Sequence, residues 1–184
     1  MNSYDLSVGV FIRGLTTLKS QLRTAEGHVA AGAGSEATLL GARLAREELA
    51  REAGTASPYD LHAYTLAAHV HWAAEGAKLA IGQVLGTRPV PAVSDATCFS
   101  DLYDRIDTTI AYLERVAAAD LDAGFDRPLV FEHRGGSVPS TGGHFLIAFA
   151  IPHFFYHVTT AYGILRNQGV RLTMGDFLGN WGAA

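Results

Sequence analysis

Two histidines stand four residues apart, His153 and His157, inside a stretch (residues 141–169) whose apolar residues recur with helical spacing. On a helix such a pair shares one face a single turn apart, so two imidazole lone pairs can be aimed at one metal ion. Leu146, Phe149, Thr160 and Ile164 fall on the same face, which the spacing turns inward. A third ligand has to come from another segment, and the second long helix offers His62, His69 and His71. His62 and His69 are a heptad apart and share a face, whereas His71 lies roughly 200° around the helix from His69. His69 shares its strip with Leu66 and Ala73, which makes it the chosen partner. Three neutral histidines from two helices leave a coordination position open for water or substrate, the arrangement of a catalytic rather than a structural site. An ion so held can lower the pKa of bound water or take up a thiolate. The plainer expectation for the same rings is a set of core histidines hydrogen-bonded to Thr160, a tyrosine or the backbone.

Other chemistry is thinly represented. No nucleophile-elbow motif surrounds any serine, and no phosphate-cradling glycine loop of either common kind is present. Cys98, the one cysteine, opens an amphipathic helix with no histidine beside it and reads as a small buried residue. Glu75 and Lys78 read as a solvated or helix-end pair. His28, His133 and His144 fall at the first helix end, in a hairpin and at the start of the last helix, and are not assigned to the site.

The elements that must position these residues are helices. Over residues 3–31, Val8, Phe11, Leu15, Leu18, Leu22, Ala25 and Val29 form a stripe with helical period. Gly9 and Gly14 each weaken an isolated helix by roughly 1 kcal/mol, so close packing against a neighbour is expected there. Gly32 and Gly34 stop this helix, and Ser35 caps a short one with Leu39, Leu40 and Leu44. Residues 46–57 form a connection, and Pro58 starts a second long helix running to Leu85. Its strip of Leu66, His69, Ala73, Ala77 and Ala80 lets another backbone come close. Residues 87–96, with two prolines, cross over to a third long helix capped by Thr97, with Phe99, Leu102, Tyr103, Ile106, Ile110, Leu113 and Val116 inward. Residues 120–127 read as a loop or short turn. Leu129, Val130 and Phe131 favour a strand, Gly135-Gly136 a turn, and Ser137-Val138 a returning strand. Thr141 caps the fourth long helix and Gly169 stops it, with a kink expected at Pro152, whose nitrogen cannot donate. Of Phe154, Phe155 and Tyr156, one is expected to face a partner helix or a second subunit, as are Phe177 and Trp181. One helical turn follows Thr173.

Four long amphipathic helices with a small β-hairpin before the last make an all-α four-helix bundle, read as one domain over residues 1–184. With 48% apolar and 17% charged residues, the 184-residue chain can bury a sizeable core. A net charge of −4 without a basic cluster argues against a nucleic-acid surface. With no leader and no uninterrupted apolar run of spanning length, the expectation is a cytoplasmic protein with no membrane partner.

The segments Tyr4, Ser7-Val8, Phe11 and Arg13-Gly14-Leu15, then Leu40 with Ala42-Arg43-Leu44, then Val70, Ala73 and Lys78, and above all residues 152–162 (PHFFYHVTTAY) with Ile164-Leu165-Arg166 and Gly169-Val170, resemble domain-of-unknown-function family nineteen-ninety-three. That family is grouped with the DinB/YfiT-like helical bundles, whose members include metal-dependent thiol transferases and isomerases. The resemblance implies a DinB-like four-helix bundle whose metal ligands are one histidine of the second helix and a His-x-x-x-His pair of the fourth. These fall on His69, His153 and His157.

Two functions are thus expected. In the first, zinc, nickel or iron sits on the three histidines, Tyr156 or Tyr64 orients a small-molecule substrate, and the protein is a transferase or hydrolase acting on a small molecule or thiol adduct. In the second, a metal-free bundle binds a small apolar ligand or serves as a dimeric structural or interaction protein. A homodimer is expected under either, since twofold pairing is the commonest assembly.

Overall fold

The computed structural model describes residues 2–44, 64–93, 96–133 and 136–180. The 46–57 connection, the helix start at Pro58, His62, Gly135 of the hairpin turn and Trp181 lie outside the described residues. Four long helices make the bundle: α2 (Val8–Ala30), α4 (Leu66–Leu85), α5 (Phe99–Glu114) and α8 (Ile151–Asn167). Among the described residues, five short helices accompany them: α1 (Ser3–Leu6), α3 (Glu36–Leu40), α6 (Ala118–Phe125), α7 (Gly142–Phe145) and α9 (Met174–Leu178). Helix α4 packs most extensively on α8 and next on α5, while α2 closes the ring against both α5 and α8.

The stripe expected on the first segment is buried as read, with Phe11, Leu15, Leu18 and Leu22 inaccessible. The segment is not one helix, however. At Ser7 the backbone leaves helical geometry, and the Ser7 hydroxyl donates to the Ser3 carbonyl at 2.6 Å. Gly14 faces the ring of Phe154, and a methyl there would stand 2.5 Å from a ring carbon. Phe154 also meets Phe11 edge to face at 5.0 Å, so this glycine sets how closely α2 and α8 approach. Gly9 meets no such constraint.

Helix α4 begins at Leu66. Thr65 is extended and its side chain accepts from the Ala68 N–H at 3.1 Å, which ends the helix on that side. Ala73, Ala77 and Ala80 are buried as expected. Leu44, expected on the short helix, lies beyond the end of α3 and is 57% exposed. Helix α5 is capped one residue later than expected. Cys98 occupies the cap, and the Asp101 carboxylate accepts from the N–H groups of Thr97 and Cys98. Residues 118–125 form helix α6 instead of a loop, because Leu121 is fully buried and Gly124 presses on the backbone of Val84.

The hairpin pairs β1 (Pro128–His133) with β2 (Gly136–Thr141), antiparallel, with Val130 opposite Pro139. It is longer than the sequence suggests and leads straight into the last helical run. Thr141 caps that run, its hydroxyl accepting from the His144 N–H at 3.4 Å. The run continues unbroken from Gly142 to Asn167, with a π-helical turn over Leu146–Ala150. The Ile151 N–H bonds the Leu146 carbonyl five residues back, directly before Pro152. The strain expected to kink the helix at Pro152 is thus met by a widened turn, a known way to absorb an interrupted ladder. Gly169, at φ +88°, ends the run, and the Val170 N–H returns to Leu165 at 3.1 Å.

The helical run over residues 142–167 is long enough, and an 18-residue window within it apolar enough at mean hydropathy 1.2, to cross a bilayer by length and composition alone. The expectation of no such run is corrected to that extent; in the structure α8 packs on α2 and α4 as a bundle helix.

Replacing Gly14 by Ala is expected to lower stability by about 1–3 kcal/mol through overpacking against Phe154, despite the better helix propensity of Ala. A thermal melt should show a drop of several degrees; an unchanged melt would mean that the ring yields freely.

Candidate metal centre

The three histidines picked from helical phase come together between α4 and α8. His69 Nδ1 lies 2.9 Å from His157 Nδ1, and His157 Nε2 lies 3.3 Å from His153 Nε2. His157 is inaccessible and His69 is 1% exposed, whereas His153 is half-buried. Small residues of α4 make room for them. A methyl on Gly76 would stand 3.4 Å from His153 Nδ1. Burial penalises the imidazolium form. It lowers the His69 pKa from 6.5 to about 4. For His157 burial, followed by the neighbouring His153, His69 and His71, lowers it to about 2. Both rings are therefore neutral near pH 7, the form in which an imidazole can bind a metal.

The donor set fits an ion such as zinc, nickel or iron; the ring orientations fit it in part. The spacing between His153 Nε2 and His157 Nε2, 3.3 Å, is what two nitrogens on one tetrahedral ion would show. His69 engages the other nitrogen of His157. The rings thus form a row, and an ion shared by all three needs one ring to turn. As the side chains stand, no group of three or more His, Cys, Asp or Glu among the described residues is arranged to hold a metal.

His71 is buried as well, edge-on to Trp72 at 5.1 Å, and is close enough to His157 to disfavour its charged form. His144 is exposed, as expected for the start of a helix. Tyr64 stacks on His157 at 6.3 Å and on Trp72 at 6.4 Å. Tyr156 packs on His69 and His157, at 6.0 and 5.3 Å. Of the adjacent residues, Phe154 is fully buried and Phe155 half-buried.

What the sequence did not disclose is the space beside the row. A cavity of about 1000 Å³ has His153 and His157 in its wall, with Tyr64, Trp72, Phe145 and Phe149. Tyr64 lines it; Tyr156 does not. The hairpin closes one side through Val130 and Phe131, held by the Gln83 side-chain amide donating to the Val130 carbonyl at 2.9 Å. The one available signal was the recurrence of Phe145, Phe149 and His153 at every fourth residue. Glu75 and Lys78, expected to be solvated, are a 2.8 Å ion pair with side chains only 3% and 14% exposed. Their burial comes from the loop after α4, whose Ala92 N–H donates to Glu75 and whose Val90 carbonyl accepts from Lys78.

A crystal structure of a DinB family member from Shewanella denitrificans superimposes with a TM-score of 0.82 at 28% identity, over 98% of this chain and 94% of that one. The fold is thus that of a DinB-like helical bundle. The profile of a domain of unknown function, DUF1993, matches residues 3–178, and the chain belongs to that family. No curated protein matches it in sequence.

The depressed histidine pKa values make stability pH-dependent. Above about pH 6.5 both rings are neutral whether the chain is folded or not, so nothing is lost. As pH falls toward 4 the unfolded chain takes up protons that the folded one refuses, and stability declines. In metal-free protein the denaturant midpoint should fall steadily below pH 6.5, and His157→Gln should reduce the slope by about half. An identical slope in the variant would mean that His157 is protonated in the fold.

Proposed function

We propose that this protein is a DinB-like bundle that holds a divalent metal on His69, His153 and His157 and acts on a small molecule in the adjoining cavity. The reaction class that suits such a centre is transfer or hydrolysis, with a thiol adduct as one candidate substrate. The observation that carries the proposal is the contact of three imidazoles, two of them held neutral by burial, at the wall of a large cavity. A bound ion would polarise a water or thiolate in its open position. The protein's own groups have distinct tasks. His157, with no exposed surface, sets the depth of the centre, and His153 presents it to the cavity. Tyr64, stacked on His157 and lining the cavity, is placed to orient a substrate. The hairpin and the aromatic wall exclude water from one side.

A second reading is supported by the row itself. His157 meets an imidazole at each of its nitrogens, which satisfies a buried ring without any ion. In that reading the bundle binds an apolar ligand.

Metal analysis of protein purified without chelators separates the two. The metal reading expects about one equivalent of zinc, nickel or iron, lost in His153→Ala and in His157→Ala, with a melting temperature lowered by chelation. Metal at background, and a melt indifferent to metals and chelator, would overturn it in favour of the second.

A further inference from the structure

We infer that residues 87–93 are a gate to the cavity beside the histidine row, a strap held closed by the Glu75–Lys78 ion pair and by Arg105, whose opening admits and releases a small apolar ligand. The inference rests on the cavity being the ligand site proposed above, but not on a metal being bound.

The strap is part of the cavity wall, to which it contributes Thr87, Arg88, Pro89 and Pro91. It leaves α4 at Gly86, in the left-handed region at φ +70°, and takes no regular secondary structure up to Val93. Its near end is fixed. The Thr87 N–H bonds the Gly82 carbonyl at 2.8 Å, and Pro89 is seated on Gly82 where a methyl would not fit. Beyond that point the strap buries little. Val90 is 84% and Val93 74% exposed, and Pro91 and Ala92 are exposed as well.

What holds the far end is polar and comes from three charged side chains. No backbone–backbone hydrogen bond involves residues 88–93 among the described residues. Lys78 instead donates to the Val90 carbonyl at 3.0 Å, and Glu75 accepts from the Ala92 N–H at 3.0 Å. Arg105 of α5 donates to the Val93 carbonyl at 2.6 Å. One oxygen of Glu75 takes the Ala92 N–H and the other takes Lys78 at 2.8 Å, so the whole carboxylate is engaged. A buried ion pair seldom adds net stability over apolar residues of similar volume. This one has a positional task, because it ties the strap to α4 on both sides of Pro91.

These ties make the strap the wall that opens most readily. The hairpin wall is closed by aromatic packing, Phe131 on Phe145 at 4.9 Å and on Phe149 at 5.1 Å. Parting it would bring those rings into water. Lifting residues 90–93 uncovers little apolar surface and exchanges three hydrogen bonds for bonds to water. Exposed segments held by few contacts open locally while the rest of the fold stays intact. Pro89 and Pro91 fix two φ angles, so the strap swings as a stiff piece about its Thr87 end.

The test compares the full chain with two variants, with chelator present throughout. Glu75→Leu with Lys78→Met removes two ties but keeps apolar volume in their place, so the fold is expected to hold. Gly82→Ala pushes Pro89 off its seat and leaves the ion pair untouched. Thermal melts verify folding, and either variant that melts cooperatively suffices. Hydrogen exchange at the Ala92 amide should quicken about tenfold, with residues 66–77 of α4 unchanged. The neutral fluorophore N-phenyl-1-naphthylamine, followed by stopped flow, should bind saturably. Its association and dissociation rates should both rise about tenfold in the variants while Kd stays within about twofold, because a gate serves entry and exit alike. A wall that merely shapes the cavity would change Kd through dissociation alone. That result, unchanged rates, or unchanged exchange at Ala92 would overturn the gate and leave the cavity as a ligand site. Absence of saturable binding would overturn the cavity as the ligand site, and the gate with it.

Discussion

A histidine with no exposed surface sits where a bundle would ordinarily place a leucine, and the arrangement around it follows from that. An imidazole taken out of water loses free energy unless its nitrogens find partners. His157 finds one on each side, His69 from α4 and His153 from one turn back on its own helix. Meeting both requires α4 and α8 to approach closely, and α4 supplies Ala73, Gly76 and Ala77 along that face. The same small residues that admit the rings leave volume beside them. The cavity is in this sense a consequence of the seam rather than a separate construction.

The contacts that flank the seam are held differently. Deep in the bundle, Phe11 and Phe154 pack edge to face where Gly14 removes any obstruction. Toward the hairpin, apolar packing gives way to specific polar ties. Arg127 donates to the last carbonyls of α4, those of Val84 and Leu85 among them, which binds the root of the hairpin to the helix end. Gly124 and Gly142 let α6 and the start of the last run crowd against Val84. A helix C-terminus carries partial negative charge and unpaired carbonyls, so a guanidinium there answers both needs. The side of the protein that bounds the cavity is thus fixed by hydrogen bonds and glycine contacts more than by bulk burial.

The π-helical turn belongs to the same logic. Pro152 removes one donor from the ladder, and the preceding turn widens to bond Ile151 back to Leu146. The widened turn carries Phe149, and the ring ladder from Phe145 to His153 runs across it. Such turns are frequent at functional sites because they re-aim side chains without breaking the helix.

The helices, the inward phase of His69, His153 and His157, and the small-residue strip of α4 were all legible in the sequence, because each depends only on spacing along one helix. Helix starts at residues 66 and 99, the helix at 118–125 and the burial of Glu75 with Lys78 were not. Each is decided by a partner remote in the chain: Leu121 by its place in the core, Glu75 by the Ala92 N–H. The cavity belongs to this second group as well. Periodicity tells which way a side chain points, but the distance to what it meets depends on how closely separate helices approach, and that is settled only when the whole bundle packs.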